Sequence, residues 1–160
     1  MAVRFFLKID DIKGESTDAK HKDEIDVESY SWGITQTGGF APGGGGGAGK
    51  ASFADFSFTM PPSIASPLLF LSCAQGKHLE EAVLTARTSG KAGLDFYKLT
   101  FADVLVSSFQ ESGDAGADGV SESVSFNFQK IKVEYRRRTA KGGLEPPVDA
   151  GWDLKQNKSI

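Results

Sequence analysis

The sequence predicts a mainly β protein, a closed or nearly closed β-barrel of two bent antiparallel sheets with one flanking α-helix, and three observations carry that expectation. Phenylalanine occurs twelve times against two methionines, alongside many β-branched residues and Ser/Thr, a composition suited to half-buried pleated surfaces. The apolar runs alternate with period two and then slip by one residue partway along. Only one segment carries paired helix start and stop signals.

The first strand is read at Val3 to Ile9, with Val3, Phe5, Leu7 and Ile9 in one phase and Arg4 and Lys8 in the other. A polar loop follows from Asp10 to about Glu24. The next strand, Ile25 to Thr35, changes phase between Ile25/Val27 and Tyr30/Trp32/Ile34, which calls for a bulge or sharp bend. The same slip separates Ala51 and Phe53 from Phe56, Phe58 and Met60, then Leu99 and Phe101 from Val104 and Val106. It recurs between Val124, Phe126, Phe128 and Ile131, Val133, Tyr135. Long strands that bend repeatedly fit a barrel or orthogonal packing, where one strand serves two sheets at a corner. A further strand spans His78 to Thr88, before the turn at Ser89–Gly93. Another loop is expected at Glu111–Gly119, and a last short strand holds Trp152 and Leu154.

For the helix, Ser66 is the expected cap, Pro67 fits the first helical position, and Gly76 fits the terminating left-handed residue. The segment between them is apolar nearly all round, through Leu68, Leu69, Phe70, Leu71, Cys73 and Ala74. A helix of that kind is expected to be buried on several sides, plugging a barrel end or lying under a subunit contact.

Bulk properties bound the function. With 160 residues, 39% of them hydrophobic, one domain over residues 1–160 is expected. A net charge of −3 gives no general attraction to nucleic acid or anionic membranes. The lone Cys73 has no partner for an internal disulfide, which places folding in a reducing compartment. Charges interrupt the N-terminal apolar run, no signal-peptide core is visible, and no stretch is long enough to span a bilayer. Export would need another machine, and neither membrane insertion nor a nucleic-acid partner is expected.

Motifs for chemistry are thin. Residues Gly44 to Lys50 match the spacing of a phosphate-cradling loop, yet Ala51 stands where a hydroxyl should bind Mg²⁺, and Phe53, Phe56 and Phe58 read as strand where a helix is required. The stretch from Gln36 to Lys50 is instead a long excursion between strands, with five consecutive glycines, and is read as a contact arm. Gln36, Gly38, Phe40, Pro42, Gly45 and Lys50 are its candidate contact residues. His21 and His78 share no ligand spacing with Cys73, so no metal and no cofactor is expected. Asp10-Asp11 reads as turn chemistry, no nucleophile elbow is present, and no catalytic residue is assigned. Trp32 and Trp152, each beside a glycine, read as core aromatics.

Charge is unevenly distributed. Basic residues cluster at Lys130, Lys132, Arg136, Arg137, Arg138 and Lys141, while acids concentrate around Asp26 and Glu28 and again at Glu111–Glu122. Opposite patches on one chain favour head-to-tail contacts between copies, which close into rings when the rotation permits. Asp26, Glu28, Lys130, Lys132, Arg136 and Arg138 are the candidate inter-subunit residues. Two competing readings stand beside self-assembly: a monomeric small-ligand-binding β-barrel, marked by an apolar cavity, and a hydrolase using a loop carboxylate, marked by a strongly perturbed acid in a cleft.

Several segments stand in order along the chain: Phe6-Leu7-Lys8-Ile9-Asp10, Lys13-Gly14-Glu15-Ser16, Glu24-Ile25-Asp26-Val27, Ser31-Trp32-Gly33 and Gly47-Ala48-Gly49-Lys50. The series continues with Gly76-Lys77-His78, Val104-Leu105-Val106-Ser107-Ser108 and Gly151-Trp152-Asp153-Leu154-Lys155-Gln156-Asn157. Together they resemble the Hcp (haemolysin-coregulated protein) family of type VI secretion. The resemblance implies a non-enzymatic tube subunit, made in the bacterial cytoplasm and exported by type VI secretion. It implies homohexameric rings around a central channel, stacked into the inner tube, with a contractile sheath outside, a spike at the tip and effector proteins as cargo. In that family the arm corresponding to Gln36–Lys50 reaches toward the neighbouring ring.

Overall fold

The computed structural model describes residues 2–39, 49–90, 92–117 and 119–160; within the expected arm, Phe40, Pro42 and Gly45 lie outside them. The fold is mainly β with one helix. The first strand, β1 (Val3–Ile9), pairs antiparallel with β2 (Ile25–Val27) on one side and β7 (His78–Thr88) on the other. Its burial is wider than alternation predicts: Phe6, in the polar phase, is fully buried beside Leu7. The loop 10–24 folds back over that face.

The phase slips are bends. The expected strand from Ile25 to Thr35 is three pieces: β2, then β3 (Ser29–Ser31), then β4 (Ile34–Thr35). The change of direction falls at Glu28, whose N–H donates to the Thr59 carbonyl of β6 (Phe56–Met60) at 2.8 Å. β3 then pairs with β6. Similarly, β5 (Ser52–Phe53) is separate from β6 and pairs only with β4, as a small sheet of its own.

The longest strand, β8 (Asp95–Asp114), makes the corner. Residues 97–102 pair with β10 (Lys130–Tyr135), and residues 105–114 pair with β9 (Gly119–Asn127). Between them Asp103 takes φ of 53°, a left-handed conformation that short polar side chains tolerate best. Phe101 and Val104 are thereby both buried, so the sequence slip is the signature of this bend. β11 (Val148–Asp153) and β12 (Lys158–Ser159) extend the sheet beyond β10.

Three expectations are corrected here. The two sheets are unequal, a branched ten-stranded one and the two-stranded β4–β5 pair, and among the described residues they do not form the closed barrel that was expected. The expected loop at Glu111–Gly119 is mostly ladder, since β8 and β9 stay paired from Glu111↔Glu122 to Asp114↔Gly119. The strand that holds Trp152, β11, is not the last, since β12 follows it, and it stops before Leu154.

The core is aromatic. Phe56 lies 4.9 Å, centroid to centroid, from both Phe101 and Phe126, and 5.6 Å from Tyr30. Phe56, Phe58, Phe101 and Phe126 are all sealed from solvent. These rings fill the space between the strands that carry them. Trp32 and Trp152 are half-buried and pack against the cluster.

The helix α1 (Ser66–Gln75) differs from expectation at its start and on its surface. Ala65 occupies the cap position and no side chain caps it, because the Ser66 hydroxyl is directed to Glu122 of β9. Gly76 ends it as anticipated, with φ of 62°, and its neighbour Lys77 donates to the Ser72 carbonyl at 3.1 Å. The helix is not buried on several sides. Leu69 and Ser72 face inward, whereas Leu68, Phe70 and Leu71 are 42%, 54% and 45% exposed.

Candidate functional site

The candidate residues lie on edges and surface patches of the sheet. The arm grows from the β4–β5 sheet, which stands apart from the main sheet and leaves Ile34 exposed. Its two legs run side by side at the base: a Cβ added at Gly49 would sit 2.4 Å from the Thr37 hydroxyl oxygen. The Gln36 side-chain oxygen accepts the Gly38 amide at 3.0 Å. Gln36, Gly38 and Lys50 are all exposed. Lys50 leads into strand β5, not into the helix a phosphate loop requires.

The charged candidates fall on two separate parts of the sheet. Asp26 belongs to β2 and Glu28 to the bend after it, while Lys130 and Lys132 belong to β10. Between β2 and β10 lie β1, β7 and β8, so one copy cannot pair the patches with each other. Part of each patch is already engaged within the chain. Arg4 reaches Asp26 at 3.1 Å, Lys132 reaches Asp149 at 3.3 Å, and Arg136 donates to the Glu145 carbonyl at 2.9 Å. Arg137 grips the Glu145 carboxylate with two hydrogen bonds of 2.8 and 3.0 Å. Arg138 follows in the same segment and is exposed. The exposed ion pairs among these are individually weak.

Three features escaped the sequence. The first is the exposed apolar face of α1, continued by Ile64 at 58% exposure, with Phe70 edge-on to Phe109 of β8 at 6.4 Å. Its signal was the all-round greasiness of the segment, of which burial explains only one side. Second is a cleft of about 860 Å³ where Ile64 and Leu68 meet loop 10–24, rimmed by Lys8, Lys13, Asp11 and Glu24. The third is His21, buried and stacked on Phe6 at 4.6 Å. Its Nδ1 lies 3.0 Å from Glu24 and its Nε2 3.1 Å from Asp95. Burial tends to raise the Asp95 carboxyl, but the hydrogen bonds and charges of Arg87 and His21 outweigh it and hold Asp95 below its ordinary value. Among the described residues no cluster of three or more metal-ligating side chains occurs, and no helix is long and apolar enough to cross a membrane.

A branched, aromatic-cored sheet with a corner strand, one flanking helix and a detached two-stranded arm base is a specific arrangement, and it has relatives. The family model described as type VI secretion system effector, Hcp, matches residues 6–135. The chain belongs to the Hcp family. Protein hcp1 of Pseudomonas aeruginosa is 43% identical over 159 residues, covering 98% of both chains. The crystal structure of Hcp1 from Salmonella typhimurium is 38% identical, covers all of both chains and superposes with a TM-score of 0.82. A further solved structure, of a type six secretion system protein, is 30% identical and reaches a TM-score of 0.93 over 99% of this chain and 100% of its own. This Hcp chain therefore shares with its relatives the full extent of the fold just described, including the region that carries α1 and the β4–β5 arm base.

Proposed function

We propose that this chain is the subunit of the type VI inner tube: it closes into homohexameric rings, the rings stack, and the stacked tube is driven by a contracting sheath behind a spike, carrying effectors in its channel. In this reading residues 1–160 act as one nearly closed barrel domain. The chain itself makes and breaks no bond. It is exported by the secretion system it forms part of. The observation that carries the reading is the two-way match to Protein hcp1, 98% of each chain.

Two physical features support it. The exposed face of α1 and the outer edges of the sheet present apolar side chains and unpaired strand groups of the kind that copies of a chain cover for one another. The acidic and basic patches are separated within a copy but accessible to a second one.

Light scattering on the purified chain tests the reading. A hexamer's molar mass is expected, and a stable monomer at high concentration would rule it out. Deleting Gly43–Gly47 should leave that mass unchanged while shortening or abolishing the stacks seen by electron microscopy. Normal filaments from the deletion would exclude the arm from stacking.

A further inference from the structure

Glu122 sits in β9, opposite Glu111 of β8 on one side and Met60 of β6 on the other. Its residue is 1% exposed. One carboxyl oxygen, Oε1, accepts the Ser66 hydroxyl of α1, and the Ser66 oxygen itself accepts the Ser63 amide at 3.0 Å. The other oxygen, Oε2, has no donor among the described residues, which is a costly state for a buried acceptor. The neighbouring group is the Glu111 carboxyl, whose oxygens are acceptors too. The remaining elements packed around it offer no counter-charge: α1 carries no charged side chain, Met60 is apolar, and Glu15 is occupied by the Ile64 amide at 2.8 Å.

Two facing acceptors are reconciled by one hydrogen. We propose that Glu111 and Glu122 share a single proton, and that this carboxyl–carboxylate pair is a pH-sensitive latch fastening α1 to the β8–β9 ribbon. With the proton in place, Glu122 Oε2 donates to Glu111 and Oε1 accepts from Ser66, so every polar atom of the buried acid has a partner. Without it, two negative charges face each other across one rung of the ladder, one of them on the buried Glu122. A metal ion is a poorer answer, since only two carboxylates converge and one of them is exposed, well short of the oxygen cage that a hard cation takes.

The direction of titration agrees. Burial is the largest influence on Glu122 and raises it; the Ser66 hydroxyl opposes that, the Glu111 carboxyl adds to it, and the net shift is upward. A carboxyl raised in the folded state stabilises the fold fully below the ordinary carboxylate range, and that contribution fades as pH climbs through the raised value. The latch therefore holds below the ordinary carboxylate range and loosens as pH rises past the raised value. What it loosens is the helix that carries the exposed Leu68, Phe70 and Leu71.

The test is thermal unfolding of the wild type, Glu122→Gln and Glu111→Gln between about pH 4.5 and pH 8, at one protein concentration and ionic strength. An amide at either position supplies a permanent N–H donor in place of the shared proton, and Glu111 is exposed, so its variant should fold even if Glu122→Gln does not. The wild-type midpoint is expected to fall by roughly 3 °C relative to the variants across that range, and the wild type alone should keep a neutral-carboxyl infrared band after the exposed acids have ionised. Parallel curves for all three proteins overturn the proposal. A wild-type midpoint at pH 8 that rises with added calcium or magnesium, when that of Glu111→Gln does not, overturns it in favour of a cation site. A change of molar mass in Glu111→Gln overturns it in favour of a cationic side chain from a second copy.

Discussion

Phe56→Ala is expected to be the most damaging single substitution in the core, costing about 4 kcal/mol and lowering the unfolding midpoint by roughly 8–16 °C. The reason is its place in the aromatic cluster. Phe56 is fully buried, and its ring meets Phe101 and Phe126 at 4.9 Å, Tyr30 at 5.6 Å and Phe58 at 6.0 Å. Removing the ring forfeits its transfer from water, strips four neighbours of a partner, and leaves a void that the surrounding strands fill only in part. β6 also pairs with both β3 and β9, so no strand can move in without breaking a ladder. Phe56→Leu keeps most of the volume and should cost about 1.5 kcal/mol. Phe70→Ala is the control, because Phe70 is 54% exposed and should lose less than about 1 kcal/mol. Urea unfolding of the three variants at one protein concentration separates them, since assembly adds its own contribution to apparent stability. Equal losses at Phe56 and Phe70 would show that the fold does not depend on this cluster.

The same aromatic residues explain why so much of the fold was legible. Strands with dense alternation, β1 and β7, have the boundaries their patterns imply, and each slip of phase proved to be a bend, at Glu28, at Ala54–Asp55, at Asp103 and at Phe128–Gln129. Gly76 ends the helix because its φ of 62° excludes most other residues. The failures have physical causes as well. The β8–β9 ribbon is written in Ser, Gly, Asp and Glu, so its ladder is made of backbone hydrogen bonds that leave no apolar period. Ser66 fits a cap by position, but its hydroxyl had a competing acceptor 56 residues away. Phe6 lies in the polar phase because its cover is a folded-back loop, which strand periodicity does not describe. The arm and the charged patches were readable as surface features, and the exposed side of α1 was hidden inside a segment that reads as uniformly apolar.

His21→Ala is the second substitution expected to act strongly, lowering stability by about 2–3 kcal/mol near neutral pH and the midpoint by roughly 6 °C. His21 is the side chain that ties loop 10–24 to the strand β8. Its ring lies flat on Phe6, with an interplanar angle of 6°, and each ring nitrogen points at a different carboxylate, Glu24 at 3.0 Å and Asp95 at 3.1 Å. Arg87 joins the network through Asp95 at 2.8 Å and approaches Asp18 at 3.8 Å, so the loop is held at two points. Removing the ring unpairs Glu24, uncovers Phe6 and leaves Arg87 as the principal partner of Asp95. The pH dependence follows from Asp95. Its carboxyl is lowered in the folded protein, so the stabilisation it gives is complete above the ordinary carboxylate range and disappears as pH falls through the depressed value. The gap between wild type and His21→Ala should therefore be widest near neutrality and should narrow below about pH 4. Urea midpoints at neutral and acidic pH measure the gap, and amide hydrogen exchange in residues 18–24 should quicken in the variant while the β7–β8 ladder stays protected. A gap that holds its width into acid would assign the effect to the ring's stacking on Phe6 and not to the carboxylates at its two edges.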